Sequence, residues 1–160
     1  MKKLDVLGSK LCSYQAKIFE ESSNRFICSS KIFLRRFYNS EFAFYLDLPQ
    51  GRIFAFETEE CFLSLLDEYG DSTYGKEKIN SEALYYLGYL TRYICYTRGI
   101  TSAHLYSVIN IYDIVDNYYV YHTQDEEWVI ATLLEKQNLT EKDLNEDEIL
   151  KSLFRKNIGF

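Results

Sequence analysis

The sequence has few of the residues from which catalytic and metal-binding sites are usually built. Its 160 residues include one proline and only two histidines, His104 and His122. The four cysteines are widely spaced and form no C-x-x-C pair, which argues against a structural zinc site or a redox motif. No glycine-rich nucleotide loop and no nucleophile–base signature is present. The sequence therefore predicts a non-enzymatic protein without a metal or cofactor.

Long apolar runs and an excess of basic charge are missing as well. No stretch approaches the roughly 18–20 apolar residues that a membrane helix needs, and the first residues lack the apolar region of a signal peptide. We therefore expect a cytoplasmic protein without membrane contact, whose cysteines are small buried apolar side chains. The net charge of −6 disfavours non-specific attraction to nucleic acid and suits a basic partner.

Tyrosine is what the sequence has in abundance. The chain contains 15 tyrosines and 11 phenylalanines, and the tyrosines concentrate in residues 85–96 and 118–121. A tyrosine ring buries a large rigid face and keeps a polar tip, which suits both the edge of a core and a protein interface. Because the helix predicted over residues 82–98 is apolar around most of its circumference, a place in the core is the favoured interpretation.

Apolar residues at helical spacing predict an all-α fold, a compact multi-helix domain that spans residues 1–160. The first helix is predicted over about residues 3–20 and the longest over 82–98, with Ser81 as its N-cap and Gly99 at its end. Thr123 and Glu126 form a predicted capping box before another helix. Further helix starts are predicted at Ser29 or Ser30, Ser40, Thr58, and Thr101 or Ser102. Thr140 opens a C-terminal helical tail, residues 140–156.

The two halves of the chain share an order of elements. In residues 4–67 and again in residues 76–135, a long helix is followed by a capped short helix, a turn and a helix with an acidic start. Tyr14 and Ile18 precede the first short helix at the same distance as Tyr86 and Leu90 precede the second. This pattern predicts a degenerate duplication. The alternative explanation is that unrelated helices often carry the same capping residues.

Two weaker patterns point to other functions. Lys31, Arg35 and Arg36 form a compact basic patch at i, i+4 and i+5 of one predicted helix, which is expected to present them on one face and suits contact with DNA phosphates. The absence of a second basic stripe counts against that interpretation. His122 with a nearby acid such as Asp125 is the remaining alternative, a small hydrolase or transferase, although packing of His122 against tyrosines or a carbonyl is favoured.

The carboxy-terminal half resembles a known group of proteins. Its motifs are an aromatic helix, the string 99–102 (Gly-Ile-Thr-Ser), the string 112–114 (Tyr-Asp-Ile) and the string 121–124 (Tyr-His-Thr-Gln). Over about residues 82–135 these resemble small bacterial helical proteins encoded beside predicted toxins, some of them ADP-ribosyltransferase-like. Residues 34–47 resemble an amino-terminal block of longer antitoxin-type proteins. The resemblance carries no catalytic residue with it.

The resemblance implies an antitoxin-like role in a toxin–antitoxin system. Such a protein binds and neutralises a cognate toxin, which we expect the adjacent gene to encode. A DNA-binding autoregulator of its own operon and a phage-type inhibitor of a host protein are the alternatives, and a homo-oligomer is left open. Aromatic anchors of such an interface are expected in the long helix, in the tyrosine-rich turn and in the tail, at Tyr85, Tyr89, Tyr96, Tyr118, Tyr121, His122 and Phe154.

Overall fold

The computed structural model describes residues 1–49 and 55–145, and within these ranges it confirms the predicted all-α fold. Ten helices and no strand occur there. None of the described helices is both long enough and apolar enough to cross a membrane. In chain order the helices are α1 (Val6–Arg25), α2 (Ser30–Tyr38), α3 (Glu41–Asp47), α4 (Thr58–Tyr69), α5 (Ser81–Arg98), α6 (Ser102–Val108), α7 (Tyr112–Asp116), α8 (Tyr118–Tyr121), α9 (Glu126–Lys136) and α10 (Glu141–Leu144).

Short polar side chains define most helix starts, because they accept hydrogen bonds from backbone amides that the first turn leaves unpaired. Ser29, Ser40 and Thr101 cap α2, α3 and α6 in this way, as predicted. Gly99 ends α5 in the left-handed region with φ +65°, a conformation that glycine adopts without steric cost. Local sequence signals therefore determine these boundaries.

Two of the predicted caps are wrong. Asn80 caps α5, and its side-chain oxygen accepts from two amides of the first turn, while Ser81 is already inside the helix. Asp125 caps α9 in the same way, whereas the Thr123 hydroxyl donates back to the carbonyl of Val120. In both places the residue directly before the first helical residue is an Asn or Asp whose side chain reaches the free amides, and these residues are among the strongest N-caps.

The helices α1 and α5 form the central pair and run antiparallel. The amide of Lys2 donates to the carbonyl of Thr97 at one end (2.8 Å), and Gln15 Nε2 donates to the carbonyl of Gly88 near the middle (3.0 Å). A Cβ atom added to Gly88 would lie 2.7 Å from the Gln15 carbonyl oxygen and 3.0 Å from Ala16 Cα. Glycine at position 88 therefore lets the two backbones approach this closely.

One cluster of buried hydrophobic side chains includes residues from all ten described helices. The four cysteines are buried, as predicted, and Cys28, Cys61 and Cys95 belong to this cluster. Burial raises the pKa of Cys12 to about 12, which keeps the Cys12 thiol protonated at neutral pH. The cysteines therefore contribute packing to the core.

The order of elements repeats in the two halves. The long helix α1 is followed by α2, α3 and α4, and the long helix α5 by α6, the short pair α7 and α8, and α9. This order agrees with the proposed duplication of residues 4–67 and 76–135. Order alone does not establish that the halves share their packing, so the duplication stays a prediction.

The predicted C-terminal tail is described only at its beginning. Thr140 opens α10 as predicted, and the Asp143 carboxylate accepts from the Thr140 amide at 2.7 Å in a capping box. Leu144 is fully buried, which anchors α10 on the core. The rest of the predicted tail, including Phe154, lies outside the described residues.

A buried ion pair connects four of the helices. Arg92 of α5 and Asp47 of α3 are 1% and 2% exposed, and their Nη1 and Oδ1 atoms are 2.7 Å apart. Arg92 Nε donates to Gln15 Oε1 of α1, and Nη2 donates to Ser102 Oγ of α6, both at 2.8 Å. The Ser102 amide donates to the other Asp47 oxygen at 2.8 Å. One guanidinium group thus sets the relative positions of α1, α3, α5 and α6.

We predict that Arg92→Met lowers the free energy of unfolding by about 3–5 kcal/mol, because it leaves the Asp47 carboxylate buried without its cation. Urea unfolding followed by circular dichroism measures this change. The matched control is Arg25→Met, which breaks the surface pair of Arg25 and Glu59 and should cost no more than about 1 kcal/mol. Equal losses in the two variants would contradict the assigned role of Arg92.

A second arginine holds the C-terminal helices against α5. Arg98 Nη2 lies 2.8 Å from Glu127 Oε1 of α9 and 3.0 Å from Glu141 Oε1 of α10. The Tyr93 hydroxyl donates to the other Glu127 oxygen at 2.7 Å. The hydrogen bond from Arg98 is the main reason that the pKa of the Glu127 carboxyl lies below its usual value. Arg98 therefore stabilises the charged form of Glu127.

The lowered pKa makes this contribution dependent on pH. Because the carboxyl pKa of Glu127 is lower in the folded than in the unfolded chain, the stabilisation is present above the unfolded value, about 4.3, and is lost as the pH falls through the folded value. Glu127→Gln should lower the free energy of unfolding by about 1 kcal/mol at most at pH 7, and by less below about pH 4. Urea unfolding at several pH values checks this, with Glu135→Gln as the control. A loss of unfolding free energy in Glu127→Gln that is the same at every pH would contradict the role assigned to the Glu127 carboxylate.

Candidate functional site

The structure divides the predicted contact residues into a buried and an accessible group. Tyr96 and Tyr121 are 7% and 4% exposed, so their rings belong to the core. The Tyr96 hydroxyl donates to Asp5 Oδ1 at 2.6 Å, because the start of the chain covers the end of α5. The structure thus shows a packing role for Tyr96 and Tyr121, and their assignment as contact residues for a partner stays a prediction.

The other predicted residues within the described ranges come together on one surface. Tyr85 and Tyr89 lie one turn apart on α5, next to Glu82 in the preceding turn. The Tyr118 hydroxyl of α8 donates to Glu82 Oε2 at 3.3 Å, which brings the two elements together. Residue His122 follows directly at the end of α8. We call this the tyrosine surface and define it as Tyr85, Tyr89, Tyr118, Tyr119 and His122.

His122 orders this surface. Its ring stacks on the ring of Tyr118, with the centroids 4.5 Å apart and an angle of 23° between the planes. Nδ1 also donates to the Tyr118 carbonyl at 2.7 Å. The predicted packing of His122 against a tyrosine and a carbonyl is confirmed. The Asp125 carboxylate serves as the N-cap of α9, and in the described structure it makes no hydrogen bond to His122, so the geometry does not assemble a His–Asp pair.

Tyr119 is the member of the surface that the sequence reasoning missed. It is 80% exposed, and its ring centroid lies 5.2 Å from that of Tyr118. The signal was present in the sequence, because α8 is a single turn in which tyrosines occupy three of four positions. Successive residues of a helix point about 100° apart, so a turn that buries Tyr121 must direct another ring outward.

The stretch of sequence that contains α8 is acidic. Between Arg98 and Lys136 the chain has no lysine or arginine. Desolvation and then the nearby Glu82 carboxylate raise the pKa of the Tyr118 phenol, so this hydroxyl is a neutral donor at physiological pH. In addition to Glu82 of α5, the segment between the two cations contains six acidic residues: Asp113, Asp116, Asp125, Glu126, Glu127 and Glu135. Two of them are ion-paired, Glu127 with Arg98 and Asp113 with Lys136.

The predicted basic patch on α2 lies against two neighbouring helices. Lys31 Nζ lies 5.2 Å from the centre of the Tyr112 ring of α7. The Arg36 guanidinium instead lies 5.3 Å from the centre of the Tyr69 ring at the end of α4. Arg35 is exposed between them. Two of the three cations are thus held against different helices of the protein itself, which weakens the case for DNA recognition by this patch.

A cleft of about 800 Å³ lies beside α3 and α5. Its charged groups include Asp47 and Arg92, which are bonded to each other, and Arg98, which is bonded to Glu127 and Glu141. These groups are engaged in holding helices together. In the described ranges no group of three or more His, Cys, Asp or Glu residues has an arrangement that could hold a metal ion.

Comparisons of the chain with protein-family models, with curated proteins and with solved structures find no significant match. No residue role is therefore transferred from a relative. The tyrosine surface rests on its exposure, its ring geometry and its charge.

The distinction between core and surface tyrosines can be tested by stability. Tyr121→Ala should lower the free energy of unfolding by about 3–5 kcal/mol, because it leaves a cavity below α8. Tyr119→Ala should change it by no more than about 0.5 kcal/mol, since the ring is exposed. Thermal and urea unfolding of the two variants measure the difference. A large loss in Tyr119→Ala would place that ring in the packing instead.

Proposed function

We propose that this chain is an antitoxin-like protein that binds and neutralises a cognate toxin through the tyrosine surface. The observation that carries the proposal is the exposed ring of Tyr119 next to the ordered ring of Tyr118, in a stretch of sequence, residues 99–135, that contains no lysine or arginine. Two kinds of support are combined. The surface supports binding to a protein, and the resemblance of residues 82–135 supports a toxin from the adjacent gene as the partner.

The chemistry of the surface suits a protein interface. Tyrosine provides a large contact area with few rotatable bonds, so its ordering on binding costs little conformational entropy. Tyr118 is held in advance by its hydrogen bond to Glu82 and its stacking on His122, which reduces this cost further. The acidic segment around it would speed association with a basic protein. Neutralisation then requires only that the bound chain cover the working cleft of the toxin.

The proposal is tested by co-expressing the chain with the product of the adjacent gene. We expect a complex that survives purification and restores growth to cells expressing that product. Tyr119→Ala should weaken the complex by about tenfold or more, the loss typical of an aromatic hot spot. Affinity is measured by calorimetry with the purified complex partners, and rescue by growth curves.

The matched control is Tyr74→Ala, which removes an equally exposed ring (77%) from the connector between α4 and α5. This variant should bind and rescue like the unmodified chain. Absence of both complex and rescue would refute the antitoxin role. A complex that Tyr85→Ala and Tyr119→Ala leave unchanged would show that another surface makes the contact.

A further inference from the structure

Several lysine and arginine side chains of the protein lie over the faces of its own tyrosine rings. A lysine or arginine lies within 5.3 Å of the ring centre of three tyrosines, a distance at which the ring face attracts a positive charge. These pairs are Lys2 with Tyr96 at 4.0 Å, Lys31 with Tyr112 at 5.2 Å and Arg36 with Tyr69 at 5.3 Å.

The first of these pairs also contains a carboxylate. The Tyr96 hydroxyl donates to Asp5 Oδ1 at 2.6 Å, while Lys2 Nζ lies over the same ring. The carboxylate adds Coulomb attraction to that of the ring face, so the two groups act together on one cation. Lys2, Tyr96 and Asp5 form a complete site for a basic side chain, filled from within the molecule.

The tyrosine surface contains a similar hydrogen bond between a tyrosine and a carboxylate, but its exposed ring is that of the next residue, Tyr119, because the ring of Tyr118 stacks on His122. The Tyr118 hydroxyl donates to Glu82 Oε2 at 3.3 Å, and the ring of Tyr119 lies beside it, largely exposed. In the described part of the chain no lysine or arginine lies over either ring. Lys78 is near Glu82 in sequence, but its Nζ donates to the carbonyl of Phe26 at 2.7 Å and is thus held at the end of α1.

We propose that the tyrosine surface binds a basic side chain, arginine or lysine, of the protein partner. The cation lies over the exposed ring of Tyr119, and the Glu82 carboxylate, hydrogen-bonded to the neighbouring Tyr118, adds Coulomb attraction at longer range. This proposal rests on the proposed function for the identity of the partner as a protein, and it adds the chemistry that the partner must present.

The test is a titration of the full chain with an octa-arginine peptide at two salt concentrations, followed by calorimetry and by the NMR signals of the tyrosine rings. The signals of Tyr118 and Tyr119 should shift. Tyr119→Leu keeps apolar area but removes the ring, and Glu82→Gln removes the charge; each should weaken binding about three- to fivefold. Tyr119→Phe keeps the ring face and should stay within about twofold of the unmodified chain.

Tyr74→Leu is the control for non-specific attraction of the peptide to an acidic protein and should have no effect. The proposal is overturned if Tyr119→Leu binds as well as the unmodified chain, if Tyr74→Leu loses as much, or if Tyr119→Phe loses as much as Tyr119→Leu.

The same variants separate this proposal from the antitoxin role. If Tyr119→Leu and Glu82→Gln weaken peptide binding while Tyr119→Phe and Tyr74→Leu do not, and no complex forms with the adjacent gene product, the cation site is supported and the toxin is refuted as partner. A stable, growth-restoring complex that Tyr119→Leu and Tyr119→Phe weaken equally, and that Glu82→Gln leaves unchanged, would support the antitoxin role and overturn the cation site.

Discussion

The buried pair of Arg92 and Asp47 is the interaction on which the arrangement of the described helices depends. Charges this far from water are tolerated only when they are paired and hydrogen-bonded, and the guanidinium has three donors in use, one each to α1, α3 and α6. The planar guanidinium group donates hydrogen bonds only in a few fixed directions. Other rotations of α5 would leave a charge unpaired in the core, so the pair selects one packing of these helices over near alternatives.

That selection determines what α5 presents to solvent. The buried residues of α5, among them Gly88 and Arg92, cover most of its circumference, and Tyr85 and Tyr89 lie half-buried at the edge of this buried face. Hydrogen bonds from Tyr86 to the Tyr121 carbonyl and from Tyr118 to Glu82 then dock α8 beside them. The proposed binding surface is thus a consequence of packing inside the molecule, and its rings are held by rigid helices.

Whether a tyrosine of this protein lies in the core or on the surface depends on whether its hydroxyl has a hydrogen-bond partner inside the molecule. Tyr38 and Tyr96 are buried. The Tyr38 hydroxyl shares a hydrogen bond with Thr91 Oγ1, and the Tyr96 hydroxyl donates to Asp5 Oδ1, so burial leaves neither hydroxyl without a partner. Tyr119 has no comparable place in the core, since its single-turn helix already directs Tyr121 inward. Some tyrosines are therefore part of the core, and others, such as Tyr119, are exposed on the surface. Exposed tyrosines of this kind suit a protein interface.

Local patterns in the sequence determined the helical class, most helix boundaries and the burial of the cysteines, because caps and apolar spacing act within a few residues. They also identified Tyr85, Tyr89, Tyr118 and His122 as candidates. Sequence reasoning could not separate these from Tyr96 and Tyr121, since burial depends on which distant segment covers a ring. Only the tertiary structure decided that, together with the pairing of Arg92 with Asp47 across 45 positions and the exposure of Tyr119, because contacts between distant segments leave no local periodicity.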